Sequence, residues 1–439
     1  MTTITIAIVI VFLLGYACIA LETFLHINKA AIALLMFVAC WTLFMIDPAI
    51  YYPVGDAIAQ AEVAIEHHLG STATTLFFLM GAMTIVEIVD TNGGFDFVRN
   101  ALRTRNKRRL LWRIAFMTFI LSAILDNMTT SIVMIMVLRK LVADKHDRLI
   151  YAGLVVIAAN AGGAFSPIGD VTTIMLWNSN MITAGGVITE IFIPSLIAMV
   201  VPAFILQFSL KGDLKLTKYE DDLNDQDFNS KQRQIIFYLG VGGLVFVPIF
   251  RYLTHLPPFV GILLVLAILW TVTELFYTGE KQKKTSRSKR VSKVLSKIDM
   301  STLLFFLGIL MAVSCLEEIG ILNATGQWLN DISGGNHYVV TGLIGVISSI
   351  VDNVPLVAGC MGMYPLAPVG DMAVDGLFWQ LLAYCAGVGG SLLIIGSAAG
   401  VIVMGLEKIS FGWYLKHMTW IAFVGYIAGM LSYLIMNII

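Results

Sequence analysis

The sequence predicts an all-α polytopic membrane protein built from two related halves. Of its 439 residues, 58% are hydrophobic and 13% are charged, whereas soluble domains carry about 25% charged residues. Apolar runs of about 20 residues, the length that crosses a bilayer, recur along almost the whole chain. Two motifs also repeat: Asp126-Asn127 returns as Asp352-Asn353, and Gly162-Gly163 returns as Gly389-Gly390, each 226 or 227 residues later.

Ten of the apolar runs are predicted to span the membrane. The first run has no basic residue before it and no small-residue cleavage site after it, so it is predicted to be a retained span rather than a signal peptide. In chain order, the predicted spans are 3–21, 27–46, 72–90, 150–177, 187–210, 235–253, 258–277, 300–319, 377–404 and 413–436.

An eleventh run, 114–138, is predicted to enter and leave on one side as a re-entrant hairpin. Its flanks, 99–113 and 139–148, carry seven and four Lys or Arg residues. Basic segments favour the cytoplasm, so both ends of the run are expected there. Two arms of about 12 residues would each rise about 18 Å, which places a tip at 126–130 near the middle of the membrane.

The matching run in the second half, 338–365, is predicted to enter from the outside, because the segments 320–336 and 366–378 contain no Lys or Arg. Ten spans and two hairpins then place both termini outside and leave Arg251 as the only basic residue there. The opposite orientation would put the basic loops outside.

Each half contributes five spans and one hairpin, and an odd number of spans gives the second half the opposite orientation. The predicted organisation is an inverted repeat: residues 1–210, a cytoplasmic linker at 211–234, and residues 235–439. The net charge of −1 indicates no partner, and no nucleic acid is expected. Membrane lipid is the expected surrounding.

Two spans, 150–177 and 377–404, are predicted to be interrupted near the midplane. The first contains three glycines and Pro167 between 162 and 170, and the second repeats the glycines without the proline. Glycine favours unwinding, and proline removes a backbone donor. Inverted repeats with broken helices are typical of secondary transporters, which bind their substrates at such breaks.

Three aspartates, Asp126, Asp170 and Asp352, fall within these membrane segments, where a carboxylate is costly and indicates function. If the hairpin tips and the breaks meet, their oxygens form a site of hard ligands suited to a small cation. No Lys or Arg lies in the four segments. The predicted cation and proton site consists of Asp126, Asn127, Thr129, Thr130, Asn160, Ser166, Asp170, Thr172, Thr173, Asp352, Asn353, Ser391 and Ser397, with Na⁺ or Li⁺ at the three aspartates.

Burial and mutual repulsion disfavour the charged form of a carboxylate. Such a cluster can hold either protons or a cation, and their competition is the chemistry of an antiporter. The alternative is that one or more of these aspartates only caps a broken helix. Glu87, near the cytoplasmic end of its span, is a candidate coupling or entry residue, with a boundary carboxylate as the alternative interpretation.

At these residues the chain resembles the NhaD-type sodium/proton antiporters, of the superfamily that includes arsenite permeases and dicarboxylate carriers. The resemblance rests on four stretches, 125–130, 166–173, 351–355 and 389–397. It implies exchange of cytoplasmic Na⁺ or Li⁺ for external H⁺ in a bacterial inner membrane, without enzyme activity and without a cofactor other than the transported ions. It also implies a homodimer with a scaffold domain and an elevator-like transport domain holding both hairpins.

Three alternatives remain. An anion permease for arsenite or a dicarboxylate would favour hairpin tips without aspartate, whereas this chain has Asp-Asn at both. An intramembrane aspartyl protease of the Gly-x-Gly-Asp class lacks support, because Pro167-Ile168-Gly169 precedes Asp170. A channel is disfavoured, because hairpins from opposite sides suit alternating access better.

Overall fold

The computed structural model describes residues 2–20, 27–94, 102, 104–210, 212–214, 229–279, 294–350 and 353–438. Within these residues the chain is helical, with no strand beyond one isolated bridge between Asn106 and Asp213. The helices of the first half are α1 (Thr3–Ala20), α2 (Lys29–Phe44), α3 (Ala57–Thr91), α4 (Lys107–Leu125), α5 (Asn127–Leu141), α6 (Lys145–Ala164), α7 (Val171–Asn178) and α8 (Ala184–Leu206). Those of the second half are α9 (Ser230–Thr254), α10 (Pro258–Gly279), α11 (Met300–Glu318), α12 (Ile321–Ser333), α13 (His337–Ile347), α14 (Asn353–Met363), α15 (Leu377–Gly389), α16 (Ala398–Glu407), α17 (Phe411–His417) and α18 (Thr419–Ile438).

Six of these helices are long and apolar enough to cross a membrane: α3, α8, α9, α10, α11 and α18. Several others, including α1 and α2, are apolar but shorter. The protein is therefore a multi-pass membrane protein with an all-helical fold.

Helix α3 is longer than the span predicted at 72–90. It has 35 residues, and the side chain of Asp56 caps its start by accepting from the backbone N–H groups of Ile58 and Ala59. At about 1.5 Å per residue it is about 52 Å long, whereas the hydrocarbon core is about 30 Å thick. Hydropathy alone misses the first turns, because polar residues such as Glu62 and Glu66 form helix without being apolar.

The predicted hairpin at 114–138 corresponds to α4 and α5, which meet at Asp126 and pack against each other. The second predicted hairpin, 338–365, corresponds to α13 and α14. The segment between them includes 351–352, which lies outside the described residues, as do 211 and 215–228 of the predicted linker.

The two predicted breaks are present. Residues 165–170 separate α6 from α7, and residues 390–397 separate α15 from α16. Two further helices differ from the predictions. Helix α12 follows α11 outside any predicted span, and the last span begins at Thr419 after the separate short helix α17, which turns by 113° from α16.

The helices pack in two groups. Group 1 consists of α1–α3 and α9–α11, and group 2 consists of α4–α8 and α12–α18. Packing within each group is more extensive than packing between them, where α11 contacts α14 and α12, α3 contacts α7, and α9 contacts α4. Each half of the chain therefore contributes three helices to group 1 and the rest to group 2.

Helices α6 and α15 occupy the core of group 2. Every residue of α6 from Ile150 to Ala164, and of α15 from Phe378 to Gly389, is buried. A helix that is apolar on all sides is stable only when protein surrounds it. The two helices contact each other, so their broken ends come together inside the protein.

Candidate functional site

The two breaks end in residues with the same backbone conformation. Asp170 precedes α7 with φ −144° and ψ 148°, and Ser397 precedes α16 with φ −146° and ψ 155°. Each side chain caps its helix: Asp170 accepts from the N–H of Thr172 at 3.1 Å, and Ser397 accepts from the N–H of Gly400 at 3.2 Å. The breaks therefore present one carboxylate and one hydroxyl at equivalent places.

The amides of Asn127 and Asn353 both donate to the carboxylate of Asp170. The Nδ2 atom of Asn127 lies 2.7 Å from Asp170 Oδ2. The Nδ2 atom of Asn353 lies 3.3 Å from Oδ2 and 3.4 Å from Oδ1 of the same carboxylate. The two asparagines of the repeated Asp-Asn motif thus meet at one acid.

Asn160 extends this network to the second break. Its Oδ1 atom accepts from Asn127 Nδ2 at 3.1 Å, and its Nδ2 atom donates to the hydroxyl of Ser397 at 2.9 Å. The five residues that these bonds join, each at most 6% exposed, are called the central cluster: Asn127, Asn160, Asp170, Asn353 and Ser397.

The chemistry of the central cluster suits a small cation. Hydrogen bonds from amides stabilise an ionised carboxylate, but a neutral amide brings no positive charge. Carboxylate, amide and hydroxyl oxygens are hard ligands of the type that alkali and alkaline-earth cations take. The members of the central cluster come from both halves of the chain: from α6, from both breaks and from the starts of α5 and α14.

Asp126 has a different environment from Asp170. Its carboxylate accepts from the N–H of Thr129 at 2.7 Å and from the hydroxyl of Thr129 at 2.8 Å. Its backbone has φ 92° and ψ 158°, a conformation that is essentially confined to glycine and costs about 1–3 kcal/mol for other residues. Asp126 therefore caps α5 at the cost of a strained backbone, and a role for its carboxylate beyond capping stays a prediction.

The other predicted hydroxyls divide into two sets. Those of Thr173, Ser166 and Ser391 donate to the carbonyl oxygens of Asp170, Ala123 and Val388, respectively. Those of Thr130 and Thr172 are buried and have no hydrogen-bond partner within the described part of the chain. An unsatisfied buried hydroxyl costs free energy, so these two hydroxyls are the ones available to a further polar partner.

The third predicted aspartate, Asp352, lies outside the described residues. Among the residues that are described, no three His, Cys, Asp or Glu side chains come together as a metal-binding group. A cation site formed by all three aspartates therefore stays a prediction, and the central cluster contains one carboxylate, that of Asp170, with the amides of Asn127 and Asn353 on it.

Two serines of this region were not predicted. Ser122 donates to the carbonyl oxygen of Ala159 at 2.5 Å, and Ser348 donates to that of Ala386 at 2.9 Å. Each stands four residues before the aspartate of its Asp-Asn motif and holds its hairpin to the core helix of the same half. The repeat offset was the signal that could have identified them.

Close backbone packing repeats in the same way. A Cβ atom at Gly162 would overlap the carbonyl oxygen of Phe119, and one at Gly389 would overlap that of Gly345. These contacts, which only glycine allows, bring α4 against α6 and α13 against α15.

Glu87 lies at another place, near the end of α3 in group 1. Its Oε1 atom accepts from Lys297 Nζ at 2.9 Å and from Thr91 Oγ1 at 3.0 Å. In α11, Glu318 accepts from Tyr52 at 2.5 Å and pairs with His68 at 2.8 Å. Both acids thus have partners within group 1, and a coupling role for Glu87 stays a prediction.

Comparison with known proteins gives a consistent result. The citrate transporter family CitMHS matches residues 16–383. The chain is 43% identical to sodium/proton antiporter 1 of Arabidopsis thaliana over 98% of this chain and 72% of that protein. It is 40% identical to sodium/proton antiporter 2 of the same plant, covering 97% and 98%, and 31% identical to the Na⁺/H⁺ antiporter NhaD of Alkalimonas amylolytica, covering 97% and 89%.

The fold is similar to that of a solved transporter. The YdaH transporter of Alcanivorax borkumensis superposes with a TM-score of 0.57 at 11% sequence identity, over 91% of this chain and 97% of that one. At this identity the likeness concerns the fold alone.

Proposed function

This chain belongs to the citrate transporter family and, within it, to the NhaD-type ion transporters, and on that premise we propose that it exchanges cytoplasmic Na⁺ or Li⁺ for external H⁺. The observation that carries the proposal is the buried carboxylate of Asp170, which receives amide hydrogen bonds from Asn127 and Asn353. It is a transporter, not an enzyme.

The proposed mechanism is competition for the central cluster. When Asp170 is ionised, its oxygens together with the side-chain oxygens of Asn127, Asn160 and Ser397 offer ligands to Na⁺ or Li⁺. When Asp170 takes a proton, the site loses the negative charge that offsets the dehydration of the cation. Because the site holds either a cation or protons, a site that faces the two sides of the membrane in turn exchanges one for the other.

Asp126 and Asp352 are proposed to complete the site. The strained backbone of Asp126, held by Thr129, supports a role for its carboxylate in cation or proton binding. Thr130 and Thr172 offer buried hydroxyls that have no partner in the described part of the chain. By analogy with Asp126, Asp352 would contribute from the second hairpin.

We propose that the two halves form an inverted repeat, in which group 2 moves as the transport domain against group 1 as the scaffold. The equal backbone conformations of Asp170 and Ser397 support the repeat, as do the matching bonds of Ser122 and Ser348. The packing between the two groups is less extensive than the packing within them, which supports their relative movement.

A second candidate function is a carboxylate permease, which the name of the matched family, citrate transporter, favours. A multivalent anion would require cationic ligands or helix N-termini, whereas the central cluster holds a carboxylate at the start of α7. Repulsion between Asp170 and an anionic substrate makes this function the weaker of the two.

Transport by purified protein in proteoliposomes tests the proposal. With a preset pH gradient reported by a pH-sensitive dye, adding Na⁺ or Li⁺ should dissipate the gradient, and adding K⁺ serves as the control. Uptake of citrate, succinate or arsenite without any response to Na⁺ or Li⁺ would replace the antiporter proposal with the permease. Labelling of the termini in intact cells with a reagent that does not cross the membrane would test the predicted outside position of both ends.

We place the protein in a bacterial inner membrane as a homodimer, by its likeness to the NhaD antiporters. Chemical cross-linking in native membranes should give a dimer if this holds.

A further inference from the structure

The short helix α7 connects the central cluster to group 1. Its first end carries Asp170 as the capping residue. Its other end contacts two helices of group 1: Asn178 Nδ2 in α7 donates to Thr75 Oγ1 in α3 at 3.3 Å, and Arg251 of α9 donates to Trp177 in α7 and to Asn180 just after it. A helix of eight residues thus has the candidate site at one end and the boundary between the groups at the other.

Arg251 makes three contacts at that end. Its Nη1 atom donates to the carbonyl oxygen of Trp177 at 2.8 Å, and its Nη2 atom donates to Asn180 Oδ1 at 2.6 Å. The guanidinium also lies over the Trp177 ring, 4.6 Å from the ring centroid. One planar side chain therefore holds a backbone group, an amide and an aromatic face of group 2.

The chemistry of these contacts favours arginine over lysine. The last carbonyl groups of a helix lack intrahelical partners and carry partial negative charge, so a cation at Trp177 is favourable. The guanidinium presents several donors in a fixed fork and stacks on aromatic rings, which an ammonium group does not reproduce. Lysine could supply the charge alone.

Membrane topology does not account for the position of Arg251. In the predicted orientation it is the only Lys or Arg outside, whereas the positive-inside rule enriches these residues on the cytoplasmic side. Its contacts join α9 to α7 across the boundary between groups 1 and 2, so they cannot all persist if the groups move past each other.

We propose that Arg251 is a positioning residue that latches the outer end of α7 to group 1 and must release it in each transport cycle. This inference rests on the proposed function, specifically on the movement of group 2 against group 1. Through the eight residues of α7, the latch would also hold Asp170 in the arrangement described here.

Disulfide trapping tests the release directly. In a variant without the five native cysteines, Thr75→Cys combined with Asn178→Cys places a cysteine pair across the boundary, next to the latch. Oxidation should stop Na⁺-dependent proton movement, and reduction should restore it. A matched pair within group 2, Thr183→Cys with Asp375→Cys, replaces two side chains joined at 2.6 Å and should leave transport intact after oxidation.

The contribution of Arg251 is measured by the rate at which the boundary pair forms its disulfide. Arg251→Gln should lower this rate at least threefold and change the maximal exchange rate more than the KM for Na⁺, and Arg251→Lys should restore it in part. Tyr252→Phe is the control, because Tyr252 is 80% exposed and lines, together with Arg251, a cavity of about 520 Å³.

Two outcomes would overturn the latch. One is full transport by the oxidised Thr75→Cys/Asn178→Cys variant, in which Arg251 is unchanged. The other is an unchanged rate of disulfide formation and unchanged exchange in Arg251→Gln. Because disulfide formation is measured without transport, it separates failure of the latch from failure of the antiporter proposal, which the absence of Na⁺-dependent exchange in the unmodified protein would indicate.

Discussion

Asn160 donates a hydrogen bond from Nδ2 to the hydroxyl of Ser397, 237 residues later, at 2.9 Å. Both residues are at most 2% exposed. The bond joins the core helix of the first half to the helix break of the second. It makes the two halves of the chain contribute to one cluster. Deleting one atom, the hydroxyl oxygen of Ser397, removes this bond.

Ser397→Ala should lower both stability and sodium affinity. The substitution leaves the Asn160 amide short of a buried acceptor, which costs about 1–3 kcal/mol, and it removes one proposed ligand. A thermal melt and the KM for Na⁺ in proteoliposomes measure the two effects. Ser432→Ala, which removes only a bond to Gly429 of the same helix, is the control, and equal results for the two variants would contradict the role of Ser397.

Asp170→Asn should lower exchange strongly in a protein that still folds. Asparagine caps helices about as well as aspartate, so α7 should persist. The lost charge removes hydrogen bonds of the charged type, worth about 1.5–3 kcal/mol, and we therefore expect at least about a tenfold loss of exchange, measured with a pH-sensitive dye. Asp56→Asn, at the exposed start of α3, is the control. Exchange at the unmodified rate in Asp170→Asn would exclude the proposed site.

Asp126→Gly separates function from capping at the strained helix start. Glycine adopts φ 92° without a steric cost, and glycine replaces a capping residue with a loss of only a few tenths of a kcal/mol. The fold should therefore be retained while exchange is lost. Asp144→Gly, at the start of α6, where the Asp144 side chain accepts from the N–H of Asp147, is the control for loss of a cap. Retained exchange in Asp126→Gly would show that this carboxylate only caps α5.

Gly389→Ala should destabilise the protein, because its Cβ atom would overlap the carbonyl oxygen of Gly345. Overpacking of a close contact typically costs about 1–3 kcal/mol, and the strained contact lies in the core helix that ends at the second break. A fall in melting temperature in detergent measures the effect. Gly412→Ala, with no neighbouring atom within 4 Å of its added Cβ, should melt as the unmodified protein does.

Some features of the site could be predicted from sequence because they depend on local chemistry. The glycines and Pro167 indicated the break before α7, and the repeated glycines indicated the break before α16, and both are present. Asp126 was predicted at a hairpin tip, and α4 and α5 do meet there. The true start of α3 was missed, because its first turns are polar and the hydropathy pattern does not include them.

Other features depend on which segments pack together. Asn127 and Asn353 were predicted near a cation, but nothing local indicates that both donate to Asp170 rather than to the aspartate beside each of them. The hydroxyl of Ser122 and the guanidinium of Arg251 were likewise absent from the predicted site. Ser122 and Arg251 donate to the backbone carbonyl oxygens of Ala159 and Trp177. Because every residue has a backbone carbonyl group, the sequence does not indicate which one accepts.

The sequence by itself determined that this is a membrane-spanning helical protein with a duplicated motif and interrupted helices. Hydrophobic runs, glycine and proline have local effects, which reach only a few residues along the chain. Only the tertiary structure decided that Asp170 rather than Asp126 receives the amides of both motifs, and that Arg251 holds the far end of the same helix. The physical reason is that hydrogen bonds act over about 3 Å, so their partners are set by the packing of α6 against α15 and of α7 between the two groups.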